Sequence, residues 1–110
     1  MEIKKNVERR AYAVKITMVE AGQEVGRVYL YILYNDLHPE PFGFLEDLFV
    51  AEAWRSQGVG KQLIEAVVAE AKTQKCYKLW FTSRDGREGL HEWYKNLGFK
   101  EWAKQFRMDF

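Results

Sequence analysis

The chain has few of the residues that build covalent or metal-based scaffolds. It contains one cysteine, Cys76, and two histidines in 110 residues, and these do not form a cluster with zinc-binding spacing. An internal disulfide is therefore excluded, and we expect no metal. A single unpaired thiol favours the reducing cytoplasm as the compartment of this protein.

Long apolar runs and an excess of charge of one sign are also lacking. The net charge is +1, so composition provides no electrostatic argument for binding nucleic acid or an anionic membrane. No apolar run approaches the roughly 20 residues of a membrane-spanning helix, and the basic start MEIKK has no apolar segment typical of a secretion signal. We expect neither a nucleic-acid partner nor a membrane partner.

Apolar and aromatic residues are plentiful, at 47% and 15%, which is typical of a chain that packs a core. We predict a single domain over residues 1–110. Alternating apolar residues in 11–20 and 25–34 predict two strands, and the polar turn between them makes an antiparallel hairpin. Two prolines place a loop at 35–41, and residues 42–50 predict a third strand.

The second half of the chain is predicted to alternate helices and strands. Val59, Leu63, Val67 and Ala71 form one apolar stripe of a helix. Residues 77–83 predict a central strand buried on both faces, parallel to 42–50 through a β-α-β crossover. A capping box at 85–88 opens a second helix that ends before Gly98, and the alternating residues 105–110 predict a last strand. The expected class is α/β (α+β), with a mixed, mainly antiparallel twisted sheet and a second, C-terminal helix.

Two glycines mark the turn between the third predicted strand and the first helix. Gly58 and Gly60 lie where the unpaired N–H groups and the positive end of a helix dipole together favour an anion such as phosphate. The alternative is that both glycines only form a tight turn, and the pattern leaves this open. Two nucleotide motifs are excluded, because a Walker A loop needs Ser or Thr where Gln62 stands and a Rossmann fingerprint needs glycine at Leu63.

What remains is an R-x-x-G-x-G pattern that follows an apolar strand. The segments "LEDLFVAEAWRSQGVGKQLI" and "FTSRDGREGLHEWYKNLGF" resemble the central and C-terminal motifs of the GNAT superfamily of acyl-CoA N-acyltransferases, in the same order and at similar spacing. The resemblance implies the acyl-CoA N-acyltransferase fold. It also implies an enzyme, an N-acetyltransferase, that transfers an acetyl group from acetyl-CoA to a primary amine by direct attack on the thioester.

The resemblance further implies the roles of individual residues. The loop that would hold the CoA pyrophosphate comprises Arg55, Ser56, Gln57, Gly58, Val59, Gly60 and Lys61, and the strand that would lend backbone groups to the pantetheine arm ends in Leu48, Phe49 and Val50. Tyr94 matches the tyrosine that protonates the departing thiolate. An alkylamine with a pKa of about 10.4 must lose a proton before it attacks, and Glu46 is the expected base. Asp47, expected on the opposite pleat, is its competitor, and partial burial would raise the pKa of Glu46.

The chain departs from the family pattern at its N-terminus. Family members usually have two helices after the first strand, as one wall of the acceptor site, and "MEIKKNVERR" leaves no room for them before the hairpin. The acceptor is therefore left open among small-molecule and protein amines. A homodimer is expected, because an uncovered sheet face favours self-association. The alternative function is a non-catalytic acyl-CoA-binding or regulatory module with the same fold.

Overall fold

A computed structural model describes residues 1–110 as a four-stranded sheet and two helices. The strands are β1 (Tyr12–Glu20), β2 (Gln23–Leu33), β3 (Phe42–Val50) and β4 (Leu79–Trp80), and the helices are α1 (Val59–Thr73) and α2 (Glu88–Asn96). The sheet order is β1-β2-β3-β4, with antiparallel pairing up to β3 and parallel pairing of β3 with β4. The predicted mixed sheet and its crossover are confirmed. Neither helix is long and apolar enough to cross a membrane.

The hydrophobic core lies between α1 and one face of the sheet. Every second residue of β2, namely Val28, Leu30 and Ile32, is fully buried, and α1 contributes Leu63 and Val67. Burying one such side chain stabilises the fold by roughly 1.5–3 kcal/mol. The predicted helix stripe and the predicted alternation of β2 are therefore both confirmed.

The opposite face of the sheet, which we call the open face, carries no buried side chain. It is formed by these residues of β2, β3 and β4: Arg27, Tyr29, Tyr31, Leu33, Phe42, Phe44, Glu46, Asp47, Phe49 and Trp80. Several of its rings contact one another across the strands, and Phe44 stacks on Trp80 with ring centres 4.3 Å apart. Aromatic rings and charged groups thus occupy a surface that α1, on the other side, does not cover.

One extra residue in β3 changes which side chains face α1. Arg27 of β2 lies opposite Phe49 of β3, and Tyr29 of β2 lies opposite Glu46 of β3. Two steps along β2 thus correspond to three steps along β3, so β3 bulges between these two pairs. Asp47 in the bulge has a left-handed backbone, with φ +58°. Leu45 faces α1 before the bulge, and Leu48 and Val50 turn toward α1 after it. The expectation that Asp47 lies on the pleat opposite Glu46 is therefore wrong, because the bulge leaves both on the open face.

The predicted central strand over 77–83 is also wrong. Only Leu79 and Trp80 pair with β3, at the edge of the sheet, and the Trp80 side chain is 43% exposed. The predicted last strand, 105–110, has no regular structure and is exposed throughout. The two errors share a cause, because a strand needs a hydrogen-bonding neighbour and neither an apolar run nor an alternating pattern supplies one.

The second helix begins later than predicted and ends as predicted. Gly86 has φ +86°, which is incompatible with a helical residue, so α2 starts at Glu88 and its N-cap, Arg87, makes no side-chain capping bond. The predicted capping box is therefore wrong. At the other end Gly98 is left-handed, with φ +103°, and the Phe99 N–H donates to the carbonyl oxygen of Tyr94. This is the predicted glycine-terminated end.

Candidate active site

The loop from Arg55 to Lys61 presents a row of unpaired backbone donors. The first hydrogen bond of α1 runs from the Gln62 N–H to the Gly58 carbonyl oxygen, at 3.0 Å. The N–H groups of residues 58–61 therefore have no acceptor within the chain. Together with the positive end of the helix dipole, these donors favour an anion such as a phosphate group.

The two glycines of this loop differ in whether the local structure requires glycine. Gly58 is the N-cap of α1 with φ +83°, and a Cβ there would meet nothing within 4 Å, so its requirement is conformational. Gly60 lies inside the helix, and a Cβ there would touch only Cγ2 of Val50, at an ordinary 3.8 Å. Neither backbone nor packing demands glycine at position 60. A tight turn therefore explains Gly58 but not Gly60, where the missing side chain leaves the backbone open to close approach.

Two side chains of the loop hold its backbone in place. The Arg55 Nε donates to the carbonyl oxygen of Val50 at 3.0 Å, and the Gln57 Nε2 donates to that of Ala53 at 3.1 Å. The first bond ties the loop to the end of β3, and the second closes the turn on itself. These side chains are thus engaged with protein groups, while the N–H groups of the loop stay available.

A cleft of about 330 Å³ brings three predicted parts of the site together. Leu48 comes from β3, Gly60 and Lys61 come from the loop, and Tyr94 comes from α2. The other lining residues are Ile64, Arg87, Leu90 and Trp93. The Lys61 and Arg87 side chains add positive charge suited to phosphate groups.

Arg87 and Leu90 line this cleft although neither was predicted as a site residue. Helix periodicity could have grouped these two residues with Tyr94, because positions 87, 90 and 94 lie on one face of a helix. The sequence could place these residues on one face of a helix, but only the packing of α2 shows that this face lines the cleft.

Tyr94 lies half-buried in an aromatic cluster at the side of the cleft. Its ring meets Phe81 edge-on, with centres 4.7 Å apart. Burial raises the pKa of the Tyr94 phenol, while the positive charge of Arg87 and the polar Ser83 hydroxyl act in the opposite direction. The net rise in pKa keeps the phenol protonated at neutral pH. A protonated phenol beside a cleft can donate to a thiolate.

A gap separates β3 from its parallel neighbour β4 beyond their two paired positions. β3 and β4 pair only at Gly43–Leu79 and Phe44–Trp80. From Leu45 to Val50, β3 has no partner on that side. Backbone groups of Leu48, Phe49 and Val50 are therefore left without a strand partner on that side, although the Val50 carbonyl oxygen already accepts from Arg55.

Glu46 does not lie in the cleft with Tyr94. It is exposed and lines a shallow depression of about 370 Å³ on the open face, with Tyr31, Leu33 and Phe44. The expected partial burial of Glu46 is therefore wrong for this chain. Glu46 and Tyr94 flank β3 from opposite faces, on either side of the gap.

Asp47 is engaged by a basic side chain. Its two carboxylate oxygens accept from Nε and a terminal nitrogen of Arg27, both at 3.1 Å. This hydrogen bonding lowers the pKa of the Asp47 carboxyl, and the nearby positive charge adds to the effect. A carboxylate with a lowered pKa is a weaker base. Between the two candidates the geometry therefore favours Glu46, which forms no ion pair.

The chain is similar to known acetyltransferases. It is 31% identical over 101 residues to aminoglycoside N(6')-acetyltransferase type 1 of Stenotrophomonas maltophilia, a match that covers 87% of this chain and 66% of that protein. It is 33% identical over 67 residues to glucosamine 6-phosphate N-acetyltransferase of Trypanosoma brucei brucei, covering 61% of this chain and 44% of that protein. The chain thus spans two thirds or less of these relatives.

A solved structure and a family model agree with this similarity. The crystal structure of an acetyltransferase of Trypanosoma brucei superposes with a TM-score of 0.80 at 28% identity, covering 89% of this chain and 69% of that one. The model of the acetyltransferase (GNAT) family matches residues 3–99. The residues matched by the family model include the loop, strands β3 and β4, and Tyr94. The chain belongs to the acetyltransferase (GNAT) family.

Proposed function

We propose that this protein is an acetyl-CoA-dependent N-acetyltransferase that acts on a primary amine. The observation that carries the proposal is the cleft in which the free amides of Gly60 and Lys61, the end of β3 and the Tyr94 phenol meet. Family membership supports acyl-CoA as the donor. The matched relatives are named for acetylation of an aminoglycoside and of glucosamine 6-phosphate, which supports an amino sugar as the first acceptor to test.

In the proposed reaction, the loop amides, with Lys61 and Arg87, hold the diphosphate of acetyl-CoA at the N-terminus of α1. The pantetheine arm lies along the free edge of β3, which brings the thioester into the gap. Glu46, on the open face, takes a proton from the acceptor ammonium, directly or through water. The neutral amine forms the new C–N bond as the C–S bond breaks, and Tyr94 protonates the thiolate. The remaining extra proton of the acetylated nitrogen leaves through water, which restores the Tyr94 phenol.

We also propose a cytoplasmic homodimer. Large apolar side chains of the C-terminal segment are strongly exposed, namely Trp102, Phe106, Met108 and Phe110. Contact with a second copy would remove this surface from water. A single partly buried thiol, Cys76, supports a reducing compartment.

Thermal unfolding with and without acetyl-CoA tests the proposed cofactor cradle. At 100 times its Kd, a ligand that binds only the folded chain adds about 2.7 kcal/mol of stability. We expect this gain for the native chain and none for Gly60→Asp, whose carboxylate would repel the diphosphate. An acidic residue in the first helical turn favours the helix dipole, so the variant should fold normally without ligand.

Gly60→Ala is the matched control, because its methyl group fits beside Val50 and adds no charge. We expect it to fold normally and to show a gain between those of the native chain and Gly60→Asp. No gain for the native chain would overturn the proposed function. Equal gains for the native chain and Gly60→Asp would place the diphosphate elsewhere.

A further inference from the structure

Three aromatic rings of the open face each have a basic side chain of the protein close to the ring. Lys15 Nζ lies 5.9 Å from the ring centre of Tyr29, and Lys78 Nζ lies 5.2 Å from that of Phe42. The guanidinium carbon of Arg27 lies 4.8 Å from the ring centre of Phe49. These separations are within the range in which the negative face of a ring attracts a cation.

The remaining three rings of the open face have no basic side chain close to them. Tyr31, Phe44 and Trp80 lie next to one another, with ring centres 6.4 Å apart for the first pair and 4.3 Å apart for the second. Tyr31 and Phe44 line the shallow depression that also contains the Glu46 carboxylate. We call these four residues the aromatic-carboxylate cluster.

The two basic side chains beside Tyr29 and Phe49 are paired with carboxylates, while Lys78 contacts the Phe42 ring and Glu46 has no basic partner. Arg27 is paired with Asp47 at 3.1 Å, and Lys15 is paired with Glu24 at 2.9 Å. The polar contact of the Glu46 side chain is with the N–H of the next residue, at 3.3 Å. The depression therefore combines a negative charge without a counter-ion and ring faces that no protein cation occupies.

We propose that the aromatic-carboxylate cluster binds the acceptor as an organic ammonium cation and sets the preference for acceptors whose carbon skeleton presents an apolar face. This proposal rests on the proposed function. The ring faces and Glu46 attract the same charge, and the rings also pack against carbon. Phe44 and Trp80 are the last paired residues before β3 and β4 part, so an ammonium held there lies at the mouth of the gap.

Binding of tetramethylammonium tests the cluster without any turnover. This cation has no N–H to acetylate, and its methyl protons shift upfield in NMR spectra when aromatic rings lie over them. We would titrate the full-length chain with tetramethylammonium chloride and compare it with sodium chloride at equal ionic strength. We expect a saturable upfield shift for the native chain.

Substitutions then assign the cation to particular rings. Phe44→Leu, Trp80→Leu and Glu46→Gln should each weaken binding about 3- to 10-fold, which corresponds to the loss of about 0.7–1.4 kcal/mol of attraction. Trp80→Phe should retain most of the affinity, because it keeps a ring. The matched control is Phe42→Leu, whose ring already faces Lys78, and its affinity should equal that of the native chain.

No saturable shift for the native chain, or equal affinity in all variants, would overturn the proposal. Acetyl-CoA melting curves on the same samples separate it from the proposed function. Stabilisation by acetyl-CoA without cation binding would overturn the cluster alone. Cation binding that follows the expected variant order, without stabilisation by acetyl-CoA, would support the cluster as a cation site and overturn the acetyltransferase proposal.

Discussion

The two faces of the sheet use the same strands for different purposes. Along β2, Val28 and Leu30 are fully buried beneath α1, while the residues between and beside them, Arg27, Tyr29 and Tyr31, lie half-exposed on the open face. The covered face therefore supplies most of the stability. The open face presents rings and charges that the core does not need, so it is free to contact other molecules.

The two candidate proton-transfer groups differ in the same way. Tyr94 lies half-buried on the covered side, where burial raises its pKa and keeps its proton in place. Glu46 is exposed on the open side, where an incoming ammonium reaches it from solvent. Different environments on two sides of one strand are a physical route to separate acid and base roles.

Removing the Tyr94 hydroxyl should have the largest effect. We expect Tyr94→Phe to lower kcat by about 10²- to 10⁴-fold, the usual contribution of a general acid. Stabilisation by acetyl-CoA should remain, because the ring and the loop amides are kept. Steady-state kinetics with glucosamine as acceptor and melting curves with acetyl-CoA provide the two measurements.

Tyr29→Phe is the matched control, since it removes a hydroxyl from the open face outside the aromatic-carboxylate cluster and leaves the ring. Its kcat should stay close to that of the native chain. A Tyr94→Phe variant with native kcat would show that the covered side supplies no acid. In that case the difference between the two faces would concern stability alone.

Truncating one leucine on each face of the sheet to alanine should separate the contributions of the two faces to the free energy of unfolding. Leu30→Ala removes a fully buried side chain, and we expect a loss of about 2–5 kcal/mol in the free energy of unfolding. Leu33→Ala removes a half-exposed one from the open face and should cost about 1 kcal/mol or less. Urea unfolding measures both values, and similar losses would contradict the assignment of the core to one face.

The smallest expected effect is the acid dependence of the Arg27–Asp47 pair. The pKa of Asp47 is lowered by Arg27 in the folded chain, so the pair stabilises above the unfolded pKa of about 3.9 and this contribution is lost as pH falls through the folded pKa. Asp47→Asn should therefore lose stability less steeply below about pH 4 than the native chain. Asparagine tolerates the left-handed backbone at this position.

The control for this titration is Glu20→Gln, at a carboxylate that forms no ion pair. Its acid unfolding profile should follow that of the native chain. Glu8, whose pKa is lowered to about 2 by its hydrogen bonds from Arg10, titrates in all three proteins and therefore cancels in the comparison. Parallel profiles for native and Asp47→Asn would show that the pair contributes nothing.

Much of the fold follows from local patterns in the sequence. The bounds predicted for β3 agree with the structure, and the stripe from Val59 to Ala71 is buried as predicted. The glycine-terminated end of α2 is likewise a local feature, since Gly98 and Phe99 bond to the turn just before them. Such features depend on backbone preferences and periodicity within a few residues.

The errors in strands and pleats occur where a residue distant in sequence decides the local structure. Residues 77–83 are apolar enough for a central strand, but only two of them find a partner. Residues 105–110 alternate as a strand does and find none. The bulge at Asp47 arises between β2 and β3, and it places Glu46 and Asp47 on one face although they are adjacent in sequence.

The sequence by itself determined the first three strands, the presence of both helices, the loop with its two glycines and the candidate groups for acyl transfer. The tertiary structure decided that Leu48, Gly60 and Tyr94 share a cleft, that Asp47 is neutralised by Arg27, and that Glu46 stands among unoccupied rings on the other face. The reason is physical: helix and strand preferences act over a few residues. Pairing, burial and charge compensation join residues that the chain separates by tens of positions.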